Sequence, residues 1–195
     1  KSKKLGEDEC FNLISKGANI CIIRPRTVIG GKRLGIFSYL FDWISSGIDV
    51  PVLNNGENIY QFVNLNDFCE AVISSGLSEF VGDLNIAPLE HDVWSHRQLC
   101  KVVSHTPIEI DALQKVAEAG GFLDIVRKDI PDGPLHSWWS YRSPNWSISN
   151  RGRRLDHIWA TGDIASKAHS SFILKEARSW EKPSDHVPVF AEFSL

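Results

Sequence analysis

Around Gly82–Pro88 (GDLNIAP) the chain changes character with no linker, so it must fold as two dissimilar stretches and not as one repeated unit. All seven histidines (His91, His96, His105, His136, His157, His169, His186) and six of the seven tryptophans follow this point, while three of the four cysteines precede it. No Pro/Ser/Gly tract, internal repeat or low-complexity run separates the two sides. We therefore read residues 1–80 and 81–195 as separate segments of a 195-residue chain, a length that accommodates one ordinary domain or two small ones.

With 43% apolar and 23% charged residues the composition is that of a folded globular protein. A net charge of -3 gives no global attraction to polyanions, so any nucleic-acid contact must come from a local basic patch. No apolar run approaches the roughly 18 residues of a membrane span, and no secretory signal opens the chain. Cys10, Cys21, Cys69 and Cys100 lack metal-ligand spacing and are expected to be reduced, buried thiols, which points to the cytoplasm. Methionine is absent, even at position 1, so a front segment of a longer product is expected to be missing.

The first segment alternates helix and strand. A helical stretch carrying Leu5, Leu13 and Ile14 should stop at Gly17. Asn19–Arg24 (NICIIR) reads as a buried strand halted by Pro25. Leu34, Phe37, Phe41 and Ile44 recur at helical spacing and mark an inward face closed by Gly47. Tyr60–Val63 reads as a strand, and Asp67–Ser75 as a helix started by Asn64 or Asn66 with Phe68, Ala71 and Val72 inward. In the second segment Thr106, Pro107 and Glu109 spell a capped helix start, Leu113, Val116 and Ala117 its inner face, and Gly120-Gly121 its stop. Strands are expected at 137–141, 155–160 and 187–193, giving a mixed α/β chain.

Three islands carry chemistry. Gly82-Asp83-Leu84-Asn85 is a strand end whose period of two puts Asp83 and Asn85 on one face. Asn150–His157 (NRGRRLDH) is a basic turn entering an apolar strand at Asp156. Lys182–Pro188 (KPSDHVP) brackets Asp185-His186 with prolines. Cleaving a phosphodiester needs a carboxylate to move a proton, a cation or imidazolium to offset phosphoryl charge, and a second carboxylate to orient the imidazole. Asp83, His186 and Asp156 suit those roles in turn, Asn85 can donate to a phosphate oxygen, and Arg151 and Arg154 can grip backbone phosphates. Each feature also has an ordinary structural reading: a loop hydrogen bond, a solvated arginine turn, tryptophans packed in a core.

GDLNIAP, SWWSYR (Ser137–Arg142), NRGRRLDHI (Asn150–Ile158) and KPSDHVP recur in this order in one family. Residues 81–195 thus resemble the C-terminal half of the exodeoxyribonuclease III type of abasic-site endonuclease, within the endonuclease/exonuclease/phosphatase family. The resemblance implies half of a two-layer α/β sandwich and a DNA partner with abasic sites or 3′ ends. It implies Mg2+ as cofactor, with Mn2+ as the alternative ion. Asp83 and Asn85 become active-site residues, Asp156 the partner of His186, Asp185 a residue at the metal or phosphate site, and Trp138 a neighbour of the abasic-sugar pocket. Such enzymes take a principal metal-ligating glutamate, and an asparagine and a tyrosine at the phosphate, from their N-terminal half. Nothing before Gly82 matches those segments, so activity is expected to be lost or very low. A sheet face stripped of its partner would also promote self-association.

Residues 1–80 resemble the C-terminal part of an NAD-dependent epimerase/dehydratase of the extended short-chain dehydrogenases, on KSKKLGE, IIRPRTVIG and YQFVNLNDFCEAV. This implies a partial Rossmann-type segment in which Lys3 is the cofactor-holding lysine. Its glycine-rich dinucleotide loop is absent, so NAD is not expected to bind. Leu84–Ala87 suits either parent, as at the junction of a chimera.

Overall fold

The structure, a computed structural model, describes residues 2–24, 27–29, 37–50, 55, 57, 59, 61–76, 78–143 and 145–194. The chain divides into two compact units, Lys1–Leu77 and Ser78–Leu195. Among the described residues no helix is long and apolar enough to cross a membrane.

In the first unit, α1 (Ser2–Ser15) ends at Gly17, whose φ of 95° is open to glycine at little cost. Asn19–Arg24 forms no strand: extended pairing is seen three residues later, in β1 (Thr27–Ile29). A run of β-formers without a partner strand leaves its amides to water. After α2 (Phe37–Ser45), β2 (Phe62–Asn64) pairs parallel with β1, and α3 (Leu65–Ser74) follows directly. A parallel pair needs a crossover, and α2 lies within it. Pro25, Leu34 and Tyr60 lie outside the described residues. The stripe expected to face inward does so only at Phe37, which meets Phe62 edge-on at 5.0 Å, whereas Phe41 and Ile44 are exposed. Val72 is the one described residue of this unit that is fully buried.

The second unit is better packed. β3 (Glu79–Asp83) leads through a braced loop to α4 (His96–Leu99) and then to α5 (Pro107–Gly120). At the start of α5 the Glu109 N–H donates to Thr106 Oγ1, while Glu109 Oε2 accepts from the Thr106 and Ser104 N–H groups. Such a cap contributes about 1 kcal/mol. Leu113 and Val116 face inward, Ala117 is half-buried, and Gly121 (φ 63°) ends the helix. β4 (Phe122–Asp124) and α6 (Ile125–Asp129) follow without a break, the Asp124 side chain capping α6. Then come β5 (Trp138–Trp139), α7 (Trp146–Ser149), β6 (Gly152–Arg153), β7 (Asp156–Thr161), α8 (Gly162–Ala165), β8 (Ala168–Ile173) and β9 (Val189–Phe193).

β7 lies between β3 and β4, antiparallel to both; β5 pairs with β6, and β8 with β9. β7 is central because Asp-His-Ile-Trp-Ala-Thr is apolar on both faces: Ile158 and Ala160 pack with Ile125, Val126 and Ala165, while Trp159 meets Phe80 and Phe122. Two further clusters, Ala87/Val93/Leu99/Leu155 and Trp139/Ala177/Val187, hold the loops at the end of this sheet. The four cysteines are free as expected, but none of them is fully buried.

Candidate active site

The β3–β7 register places Asp83 directly opposite Asp156, so their side chains stand on one face. The loop before β9 is drawn in by β5, since the Trp139 N–H donates to Asp185 O (2.9 Å) and the Val187 N–H to Ser137 O (2.8 Å). That double attachment sets His186 beside the two carboxylates. Its Nδ1 lies 2.9 Å from Asp156 Oδ2, and its Nε2 lies 3.8 Å from Asp83 Oδ2. The proton on Nδ1 must point at the carboxylate, which aims Nε2 toward Asp83.

Burial alone would lower the His186 pKa. The hydrogen bond and charge of Asp156, then the charges of Asp83 and Asp185, outweigh burial and raise it above the ordinary histidine value. The imidazolium is thereby favoured more than in an ordinary histidine. Behind Asp156 sits Ser137, fully buried, whose Oγ accepts the N–H groups of Leu155 (3.0 Å) and Asp156 (3.1 Å). The Ser137 hydroxyl can then only donate, and it does so to Asp156 Oδ2 at 2.6 Å. Four side chains therefore form one line: Ser137, Asp156, His186, Asp83. Ser137 has no spacing signature and escapes a reading of the sequence.

Asn85 reaches Asp83 by a different route from the one its spacing implied. β3 stops at Asp83, and Asn85 takes a left-handed φ of 57°, a conformation for which asparagine is enriched. The turn folds it back, so that its N–H donates to Asp83 Oδ1 (3.0 Å) and its side-chain amide to Oδ2 (3.4 Å). Two histidines brace the loop beyond. His157 Nε2 donates to Ile86 O (2.8 Å) and His105 Nδ1 to Ala87 O (2.6 Å). Both imidazoles are buried structural donors.

The basic turn divides unexpectedly. Arg154 is 1% exposed and bonds Asp92 through Nε (2.8 Å) and a terminal nitrogen (3.1 Å), and Asp124 through the other (2.7 Å). Arg127 also pairs with Asp92. Burial would raise both carboxyls, yet Asp92 is held below the usual carboxylate range by Arg154 and Arg127, and Asp124 by His157 and Arg154. This corrects the expectation that Arg154 grips DNA: its guanidinium is spent inside the fold. Arg151 is exposed over the Trp94 ring (4.8 Å to the centroid), and Arg153 lies over Trp138 (5.6 Å). Asp185 turns one carboxylate oxygen to the Trp138 indole N–H at 3.0 Å. Lys3 lies in α1, remote in sequence from all of these, and its side chain is outside the described atoms.

Asp83, Asp156 and His186 each offer a ligand atom within 4.8 Å of the others. Magnesium favours a shell of oxygens at near-octahedral geometry. Here Asp156 Oδ2 already accepts from Ser137 and faces His186 Nδ1. The donor set suits proton movement, and these three side chains by themselves do not fit a magnesium site.

The chain matches the Endonuclease/Exonuclease/phosphatase family over residues 16–186, starting well ahead of the change in style at Gly82. It is 36% identical over 186 residues to Uncharacterized protein y4nG of Sinorhizobium fredii, covering 92% of this chain and 44% of that protein. It is 34% identical over 123 residues to Exodeoxyribonuclease III of Haemophilus influenzae, covering 58% of this chain and 44% of the relative. It thus spans less than half the length of these curated relatives. Among solved structures, an AP endonuclease from Archaeoglobus fulgidus aligns with a TM-score of 0.64 at 29% identity, covering 67% of this chain and 52% of that one. A 3′ phosphatase from Neisseria, NExo, bound to product DNA hairpin, aligns at 0.62 and 23% identity over 86% of this chain and 61% of its own, a likeness of fold alone. None of these likenesses supports the epimerase segment or the chimera expected from residues 1–80. The family's span and the four-residue line of Ser137, Asp156, His186 and Asp83 agree, and the chain belongs to the Endonuclease/Exonuclease/phosphatase family.

Proposed function

We propose that this chain hydrolyses phosphate esters of DNA, at abasic sites or 3′ ends, through the line Asp83–His186–Asp156–Ser137. The observation that carries the reading is an imidazole placed between two carboxylates at 2.9 and 3.8 Å, with the nearer one, Asp156, anchored by a buried hydroxyl. Asp156 holds the Nδ1 proton and balances the imidazolium. His186 offers Nε2–H to a phosphoryl oxygen as charge builds there. Asp83, oriented by the N–H and side-chain amide of Asn85, takes a proton from water or returns one to the leaving oxygen. Trp138 and Arg151 line the DNA side. A divalent ion, Mg2+ or Mn2+ by family resemblance, would supply neutralisation of phosphoryl charge. It needs oxygen donors beyond those assembled here, Asp185 included, so turnover is expected to be slow.

Duplex DNA with one abasic site, incubated with the chain and Mg2+, tests this. Slow nicking that disappears in H186A and in D83N is the expected result. Nicking of equal rate in H186A, or no binding of the duplex in fluorescence anisotropy, refutes it.

Self-association is proposed through uncovered sheet surface, where Val81 is 61% and Leu123 50% exposed; a monomer in sedimentation at micromolar concentration counts against it.

A further inference from the structure

We infer that Arg153, seated on Trp138, holds the DNA phosphate next to the one that is cut; this rests on the nuclease reading above and adds a subsite to it. Val93 pairs with Arg153, Arg153 with Trp138, and Trp138 with His186, all antiparallel. Directly opposed residues of an antiparallel pair share a face, so Arg153, Trp138 and His186 form one row beside the reacting groups. With neighbouring strands about 4.8 Å apart, Arg153 leaves the backbone roughly 10 Å from His186. That is one side chain's reach away from the imidazole, too far to share its phosphate and close enough to take the adjoining one.

The guanidinium is oriented before any ligand arrives. It lies 5.6 Å from the Trp138 ring centroid, and one terminal nitrogen donates to Val103 O at 2.8 Å. The Trp138 ring is itself fixed by its N–H bond to Asp185 at 3.0 Å. The charge of the buried Glu109 acts on Arg153, whereas Arg127 and Arg154 contact Asp92 directly. A half-buried arginine that is stacked on an aromatic ring and tethered through one terminal nitrogen keeps its other donors for an oxyanion, and loses little entropy on binding it. The ligand class is therefore a nucleic-acid strand whose backbone continues past the cut with an anionic phosphate.

Abasic duplexes in which single phosphates around the cut are replaced one at a time by neutral methylphosphonate provide the test. Binding is read by anisotropy in EDTA, where nothing is turned over, with the chain and its R153Q, R153K and K115Q variants. In the unmodified chain one position beside the cut should weaken binding several-fold when neutralised, and R153Q should be insensitive there. R153Q should also flatten the salt dependence by about 0.9 in slope, as one lost phosphate contact does. R153K should keep part of the sensitivity, and K115Q, on the exposed face of α5, all of it. Melting curves establish that R153Q is folded; a folded R153Q with undiminished sensitivity and slope overturns the inference while leaving the His186 result standing. Failure of all variants and of the unmodified chain to bind DNA overturns both.

Discussion

Replacing Arg154 by alanine removes three short hydrogen bonds from a guanidinium that is 1% exposed, and leaves Asp92, at 0% exposed, with Arg127 as its remaining cationic partner. Removing one member of a buried ionic cluster typically costs about 3–5 kcal/mol, because the other charge stays desolvated. For a unit the size of Ser78–Leu195, that corresponds to a fall in Tm of roughly 10–20 °C. Thermal and urea unfolding followed by circular dichroism measure it. R154A/D92N should depart from the additive sum by at least about 1 kcal/mol, since the two residues share direct hydrogen bonds. The acid limb should shift too. Asp92 and Asp124 have depressed pKa values when folded, so their contribution is complete above the unfolded value near pH 4 and is lost as pH falls through the folded values. In R154A that loss should begin at higher pH. A stability change below about 1 kcal/mol together with a shallower DNA salt slope would return Arg154 to the surface role its sequence implies and refute the reasoning.

D156N should lower the His186 pKa in an NMR titration, because the strongest raising influences leave and burial remains; an unchanged midpoint would mean the 2.9 Å contact is absent in solution. S137A should raise it, by leaving Asp156's charge to the imidazole, and should cost about 1–3 kcal/mol for the two amides left without an acceptor. His136 is pushed down to about 4 by burial and by Lys175, so its contribution is complete above pH 6.5 and lost toward pH 4; H136F should abolish that limb of the stability profile. G152A should destabilise β6 by about 1–3 kcal/mol, since a Cβ there would come within 2.6 Å of His136; an unshifted urea midpoint refutes the close approach.

Local features were the most legible in the residues. The α5 cap is written in Thr106, Pro107 and Glu109, and it forms as spelled because its partners lie within three residues. Asp83, Asp156 and His186 were recognisable by family resemblance, and the structure brings them together although 103 positions separate the first from the last. Asn19–Arg24 misled because apolar periodicity cannot report whether a partner strand exists. The α2 stripe misled for the same reason, since a helix face is inward only if something covers it.

The two adjacent arginines show the division most clearly. Chemical type is set by the chain alone: a basic turn, two acids and an imidazole, in an order that marks the family. Which arginine is spent on Asp92 and which lies over Trp138 depends on strand parity where β6 runs into Arg154, as successive side chains point to opposite sides of the pleat. Parity follows from the register of Gly152–Arg153 against Trp138–Trp139, a pairing between residues distant in sequence, and only the folded chain decides it.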